Sequence, residues 1–357
     1  MINVTETFLP PLEDYVDKLR GIWTSKWLTN RGVLVQELET ELKNTLGIND
    51  ILVVNNGTIA LQIAIKALGL AGEIITTPFS YVATTSSIVW ENCTPVFVDI
   101  DPVHLTIDPH LIEEKISPRT TGILATHVFG NPCDVEVISR IAEKNGLKVI
   151  YDAAHCYGVT YKERSLLSWG HISTLSFHAT KLFHTGEGGA IVCNDPELAK
   201  RAYYMHNFGH NGPEDFFGIG INGKISELQA ALGLCLLPYM DEVFAKRKAA
   251  FEAYDELLGR ADLSRPEIRP GTVPNYSYYP VLFSSEAALL RVKEKLASKN
   301  IFPRRYFYPS LNQLPYVGTS NCPISDDISK RILCLPLSAN IGLDVVAQIS
   351  AILENAL

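Results

Sequence analysis

The chain lacks the marks of several protein classes. No basic stripe stands out in its 357 residues, and the formal net charge is −8. That balance argues against a surface for nucleic acid or anionic membrane, since either needs clustered Lys and Arg. It leaves room for a small anion, which a few backbone amides can hold locally. Seven cysteines stand singly, at 93, 133, 156, 193, 235, 322 and 334, with no CxxC pair. An odd, scattered set reads as reduced, mostly buried thiols in a cytosolic protein. The nine histidines show no metal-ligand spacing such as HExxH, so no metal site is expected. MINVTETFLPP, at the start, has neither the basic nor the apolar region of a signal peptide. No run nears the eighteen apolar residues of a membrane span. No GxGxxG follows an early strand, which sets a Rossmann dehydrogenase aside.

What is present is a βα alternation. ILVVN (51–55), EIITTP (73–78), TPVFVDI (94–100), TGILATHVFG (121–130), LKVIYDAA (147–154), STLSF (173–177) and GAIVCN (189–194) read as strands. IALQIAIKALG (59–69) and VEVISRIAEKNG (135–146) carry apolar residues at helical spacing and end on glycine. Repeated βα units predict an α/β fold with a mostly parallel sheet flanked by helices. Ligands in such sheets bind at the carboxyl ends of the strands. Residues 225–260 read as one long helical stretch, broken or kinked at Pro238. After Pro266, Pro270 and Pro274 come a strand (275–283), a helix (286–300), a strand (332–337) and a closing helix (343–357). This predicts a large domain over 1–240 and a smaller α+β domain over 241–357.

Chemistry gathers at the predicted strand ends. Asp152 closes LKVIYD and is followed by two alanines and His155. A carboxylate there must be hydrogen-bonded or paired if buried, and one use is to hold a proton on a heterocyclic nitrogen. Lys181 follows STLSF and precedes a Gly-rich turn. A desolvated lysine loses part of its preference for the charged form and can attack an aldehyde to form a Schiff base. Together these two suit pyridoxal phosphate (PLP), which offers a pyridine nitrogen and an aldehyde carbon. Its phosphate would suit Gly57 and Thr58, which follow a strand at a helix start, and Ser176 adds a hydroxyl. Tyr81, after the strand EIITTP, offers a ring to stack on the pyridine. Each residue alone has a plainer reading. Gly-Thr is a cap, Asp152 a turn, Lys181 solvated surface, and Tyr81 and His155 core. Their order, each at a strand end, favours one site.

NNGTIAL, ITTPFSYVAT, PVFVDIDPVHLTIDP, THVFGNPCD, VIYDAAHCYG, LSFHATKLFHTGEGGAIV and GINGKISELQAALG occur in this order. Together they resemble the DegT/DnrJ/EryC1/StrS family of sugar-nucleotide aminotransferases, from WLTNRG (27–32) to CLPL (334–337). The resemblance implies a PLP-dependent transferase of fold type I, like aspartate aminotransferase, working as a cytoplasmic homodimer with shared active sites. It implies Lys181 as the Schiff-base lysine, Asp152 at the pyridine nitrogen, His155 near the ring and Ser176, Gly57 and Thr58 at the phosphate. It further implies Tyr81 stacked on the ring and Asn222 reaching the phosphate of the neighbouring subunit. Two positions depart from the family pattern. Tyr151 replaces a Glu, and Lys224 replaces an Arg whose bidentate contact a lysine cannot reproduce.

The DAAH motif and FPRRYFYPSLN look most like the family's dTDP-4-amino-4,6-dideoxyglucose transaminases, which supply polysaccharide such as O-antigen. L-glutamate is the implied amino donor. A GDP or UDP ketosugar, or amination at C3, is the alternative. Two rivals are a 3-dehydratase, which carries His in place of the lysine, and a non-catalytic regulatory relative. Arg304, Arg305, Tyr306 and Tyr308 are either contacts for the nucleotide diphosphate or a surface strand.

Overall fold

The computed structural model describes residues 1–259 and 263–356. Residues 260 and 357, the last of two expected helices, lie outside the described residues. The strands, in chain order, begin with β1 (Ile2–Asn3), β2 (Leu52–Val54), β3 (Glu73–Thr76), β4 (Thr94–Phe97) and β5 (Thr120–Thr126). There follow β6 (Lys148–Asp152), β7 (Thr160–Tyr161), β8 (Arg164–Ser165), β9 (Ile172–Ser176) and β10 (Gly189–Cys193). The last are β11 (Thr272–Val273), β12 (Tyr279–Leu282), β13 (Ile301–Phe302) and β14 (Ile332–Leu335).

Seven strands form the central sheet in the order β2-β10-β9-β6-β5-β3-β4. All neighbours pair in parallel except β10, which runs against both β2 and β9. Helices α1 (Leu12–Ser25), α2 (Val33–Leu46), α3 (Gly57–Ala67), α4 (Val82–Trp90), α5 (Val135–Asn145), α6 (Pro196–Met205) and α7 (Glu227–Leu236) accompany it. One apolar core sets α2, α5 and α7 against the sheet, and a second sets α3 and α6 against it. This is the expected fold type I layering, and strands buried on both faces explain their continuous apolar runs.

Local chemistry explains several boundaries. Asn56 caps α3 by accepting from the Ile59 amide at 2.9 Å, and Asp134 caps α5 by accepting from Val137 at 3.2 Å. Ser226 and Gln229 form a reciprocal capping box at α7. Pro238 acts as expected: α7 gives way to a 3₁₀ turn, Leu237–Tyr239, before α8 (Met240–Leu258). Glu227–Leu258 is also the one stretch among the described residues that is long and apolar enough to cross a membrane. It buries Leu234, Leu236, Val243 and Tyr254 in the protein's own cores.

The reading of 121–130 as one strand is corrected. β5 stops at Thr126, and the chain turns through Phe129 in the left-handed region (φ 57°). Beyond α8, helices α9 (Glu286–Ala297) and α11 (Leu343–Glu354) pack with the β12–β14 pair around a third core, while α10 (Pro323–Arg331) buries Ile328 in a separate cluster with Ile332 and Cys334. β1 joins this layer by pairing in parallel with β13, so the first residues sit against the carboxy-terminal part of the chain. Asp99, after β4, ties the two parts together. Its carboxylate accepts from the Ile324 and Ser325 amides at 2.8 and 2.9 Å, capping α10.

Candidate active site

Five strands deliver the site. β2, β3, β5, β6 and β9 end at one edge of the sheet, and the loops that follow line one cavity of about 210 Å³. Gly57, Thr58, Tyr81, Asp152, His155, Ser176 and Lys181 all face it. Asn222 does not. It is exposed, and its neighbour Gly223 accepts the Asn55 amide at 2.8 Å.

At one end lies the start of α3. The Gly57 and Thr58 amides open the helix and have no acceptor within it. Two glycines bring this end close to its neighbours. A Cβ on Gly57 would sit 3.1 Å from the Ser176 Cβ, and one on Gly189 would sit 2.5 Å from the Asn56 carbonyl carbon. The helix end, with its partial positive charge, and Ser176 therefore lie side by side on the cavity wall, which suits a phosphate.

Asp152 is buried and holds two hydrogen bonds. Oδ2 accepts from the Thr84 hydroxyl at 2.6 Å, and Oδ1 accepts from the Ala154 amide at 3.1 Å. Neither partner is a cation. Burial raises its pKa, and Thr84, Ala154 and the Lys181 charge work against that rise. A pyridine N–H⁺ would complete what this carboxylate lacks.

Lys181 lies in the loop between β9 and β10. Its amide donates to His178 O at 2.8 Å, and the loop is closed where the Ala179 amide meets Gly186 O at 2.7 Å. Burial lowers the pKa of its amine, against the charges of Tyr306, Asp152 and Tyr81. His155 is buried, and burial with the Lys181 charge holds it neutral, well below the ordinary histidine range. Its Nδ1 accepts from the Phe129 amide at 3.1 Å, so its proton resides on Nε2. The ring lies parallel to Phe307 at 5.9 Å and against Tyr278 at 4.6 Å. Tyr81, by contrast, is about half exposed at the amino end of α4. The lysine, the unpaired carboxylate and the amide cradle thus fit PLP.

The Arg-Tyr segment divides. Arg304 and Tyr306 line the cavity, with the guanidinium 4.3 Å from the ring centroid. Arg305 is withdrawn from the expected diphosphate contact, since it pairs with Glu286 at 2.6 Å and lies over Tyr308 at 3.5 Å. His184, the residue nearest to a dehydratase reading, bonds Phe8 O at 2.8 Å through Nε2. Tyr151, in place of the family Glu, is core and stacks on His127 at 4.4 Å. Lys224 sits over the Phe208 ring at 4.6 Å. Sequence reasoning missed Ser80, Thr84 and Thr126, hydroxyls beside Asp152, the first and last of which also line the cavity. No helix was read over Val82–Trp90, and without it Ser80 and Thr84 show no common direction.

The model of the DegT/DnrJ/EryC1/StrS aminotransferase family matches residues 12–354. A dTDP-4-amino-4,6-dideoxy-D-glucose transaminase of Shigella dysenteriae is 44% identical over 355 residues, covering 98% of this chain and 97% of that protein. The crystal structure of DesI with its TDP-sugar product superposes with a TM-score of 0.94 at 31% identity, covering 99% of this chain and 92% of that one. NtdA from Bacillus subtilis, solved with bound cofactor PMP, gives 0.88 at 27% identity, covering 96% and 82%. With the match spanning nearly every residue and the site in its place, the chain belongs to the DegT/DnrJ/EryC1/StrS aminotransferase family.

Proposed function

We propose that this protein transfers the amino group of L-glutamate to C4 of a nucleotide-linked 4-keto-6-deoxy sugar. The acceptor is dTDP-4-keto-6-deoxyglucose and the product dTDP-4-amino-4,6-dideoxyglucose. The carrying observation is the meeting of Lys181, Asp152 and the first amides of α3 in one cavity. The sugar follows the name of the 44% identical relative. The donor's C–N and C–H become a C=O while the acceptor's C=O becomes C–N and C–H, so no outside oxidant or reductant is needed.

PLP supplies, when bound, a carbonyl that takes up the amino group and a ring that accepts electrons from the donor's α-carbon. The chain's residues do the rest. The Gly57 and Thr58 amides and the Ser176 hydroxyl hold the phosphate. Asp152 keeps a proton on the ring nitrogen. Tyr81 would offer its ring to the bound group, and His155 would offer it an Nε2 proton. The Lys181 amine, poised by burial to lose its proton, moves a proton from the donor's α-carbon. Asn222 completes the phosphate site of a second copy in a homodimer. Exposed Phe216, Phe217 and Ile219, near Asn222 in the chain, support such a contact. In this reading residues 1–240 form the cofactor-binding domain and 241–357 the smaller one.

The test is spectroscopic. Protein loaded with PLP should lose its visible absorption on adding L-glutamate and regain it on adding dTDP-4-keto-6-deoxyglucose. NMR of the product should place nitrogen at C4. Loss without return would reject this sugar and keep the aminotransferase. Lys181→Ala should lower turnover by roughly 10⁴-fold or more, and a near-native rate would overturn the assignment.

A further inference from the structure

Beside Asp152 lies a row of buried hydroxyls with no assigned role, of which Ser80 and Thr126 line the cavity and Thr84 does not. Thr84 Oγ1 donates to Asp152 Oδ2 at 2.6 Å. Ser80 Oγ is 2.7 Å from Thr84 Oγ1 and 2.9 Å from Thr126 Oγ1. All three residues are buried. Each hydroxyl has one proton. The Thr84 proton lies on the carboxylate, so the proton between Thr84 and Ser80 is that of Ser80. The proton between Ser80 and Thr126 is then that of Thr126. The three dipoles point one way, and each polarises the next.

We propose that Thr126, Ser80 and Thr84 form a one-directional hydroxyl chain ending on Asp152, in which Thr84 is a positioning residue that keeps the carboxylate ionised and aimed into the cavity. This rests on the reading of Asp152 as the partner of the pyridine nitrogen. The fold builds the chain from three elements. Thr126 is the last residue of β5 and is in register with Asp152 on β6. Thr84 lies in the first turn of α4, and Ser80 lies in the loop leading to it. The chain opposes burial, which otherwise drives Asp152 toward its neutral form. Lys181 and Cys156 are the titratable groups that also feel Asp152, one favouring its charge and one coupled to it as an acid. His155 shares the cavity and stays neutral.

The test reads Asp152 itself, by carboxyl ¹³C NMR titration of cofactor-free protein, with Asp152→Asn to assign the signal. Thr84→Val removes the donor and keeps the side-chain shape. It should move the Asp152 titration to higher pH, while Thr84→Ser leaves it as in the native protein. Ser80→Ala, breaking the chain one bond further out, should give a smaller shift in the same direction. In the loaded enzyme, Thr84→Val should lower kcat roughly tenfold, the loss of one hydrogen bond to a charge, with the KM for glutamate little changed. An unchanged Asp152 titration in Thr84→Val overturns the proposal. Should that variant not fold, an unchanged titration in Ser80→Ala does so. The cofactor reading fails separately: Asp152→Asn with a native holoenzyme spectrum and rate would sink it and leave the hydroxyl chain standing.

Discussion

His127 shows what burial does to a single titratable residue. It ends the β5 strand region, stacks on Tyr151 and accepts the Cys133 amide on Nδ1 at 3.0 Å. Burial, with the Arg269 charge adding to it, pushes its pKa down to about 3. In the unfolded chain a histidine titrates near ~6.5. Between those values the native state binds fewer protons than the unfolded state, so unfolding takes up a proton. The contribution is fully present above the unfolded value and is lost as pH falls. From pH ~6.5 to ~5 this residue alone should cost about 2 kcal/mol of stability. Urea unfolding at the two pH values checks it. His127→Asn keeps an acceptor for Cys133 and removes the titration, so its acid limb should be flatter. Equal slopes would count against this account. That Lys181 and Asp152 face one cavity was legible in the sequence, because a strand-end carboxylate and a loop lysine have few other joint uses. The Thr84 contact was not, because it spans 68 positions.

At the scale of elements, α3 and α4 decide the site. α3 was plain from its apolar period and its Asn-Gly start. Replacing Asn56 by Ala removes the acceptor for Ile59 N and should destabilise the helix start by about 1 kcal/mol. Denaturant unfolding would show the loss, and fluorescence titration should show weaker PLP binding, since the Gly57 and Thr58 amides proposed to hold the phosphate follow this cap. Loss of stability with native PLP affinity would separate the cap from the cradle. α4 was not anticipated. VATTSSIVW is rich in β-branched residues, which favour strands. Burial of Thr84, Thr85, Ser87 and Ile88 overrides that preference. The same override ends β5 early, where Gly130 at φ 83° sits against His155 O and Asn275.

For the whole molecule, Asn222 is the informative residue. It lies outside the cavity of its own chain, and Trp23, Phe216, Phe217 and Ile219 are large exposed apolar groups. A shared-site dimer makes a definite prediction. Lys181→Ala and Asn222→Ala should each be impaired alone. Mixed and allowed to exchange subunits, half the dimers become hybrids with one intact site of two. Activity should recover to roughly a quarter of native. No recovery, with subunit exchange shown by mass spectrometry of tagged chains, would place Asn222 outside any partner's site.

The sequence by itself determined the α/β architecture, the break at Pro238 and the residue types, Lys181 and Asp152 among them, that line one cavity. Those properties are carried by local periodicity, by proline's missing N–H, and by residue types with few alternative uses. The tertiary structure alone decided which cations face the cavity and which hydroxyls stand beside Asp152. Arg304 and Arg305 are adjacent in the chain, yet one lines the cavity and the other pairs with Glu286. Thr126, Ser80 and Thr84 become a chain only when β5, β6 and α4 are packed together. Side-chain direction and long-range hydrogen bonds depend on neighbours brought together by folding, and no local pattern encodes them.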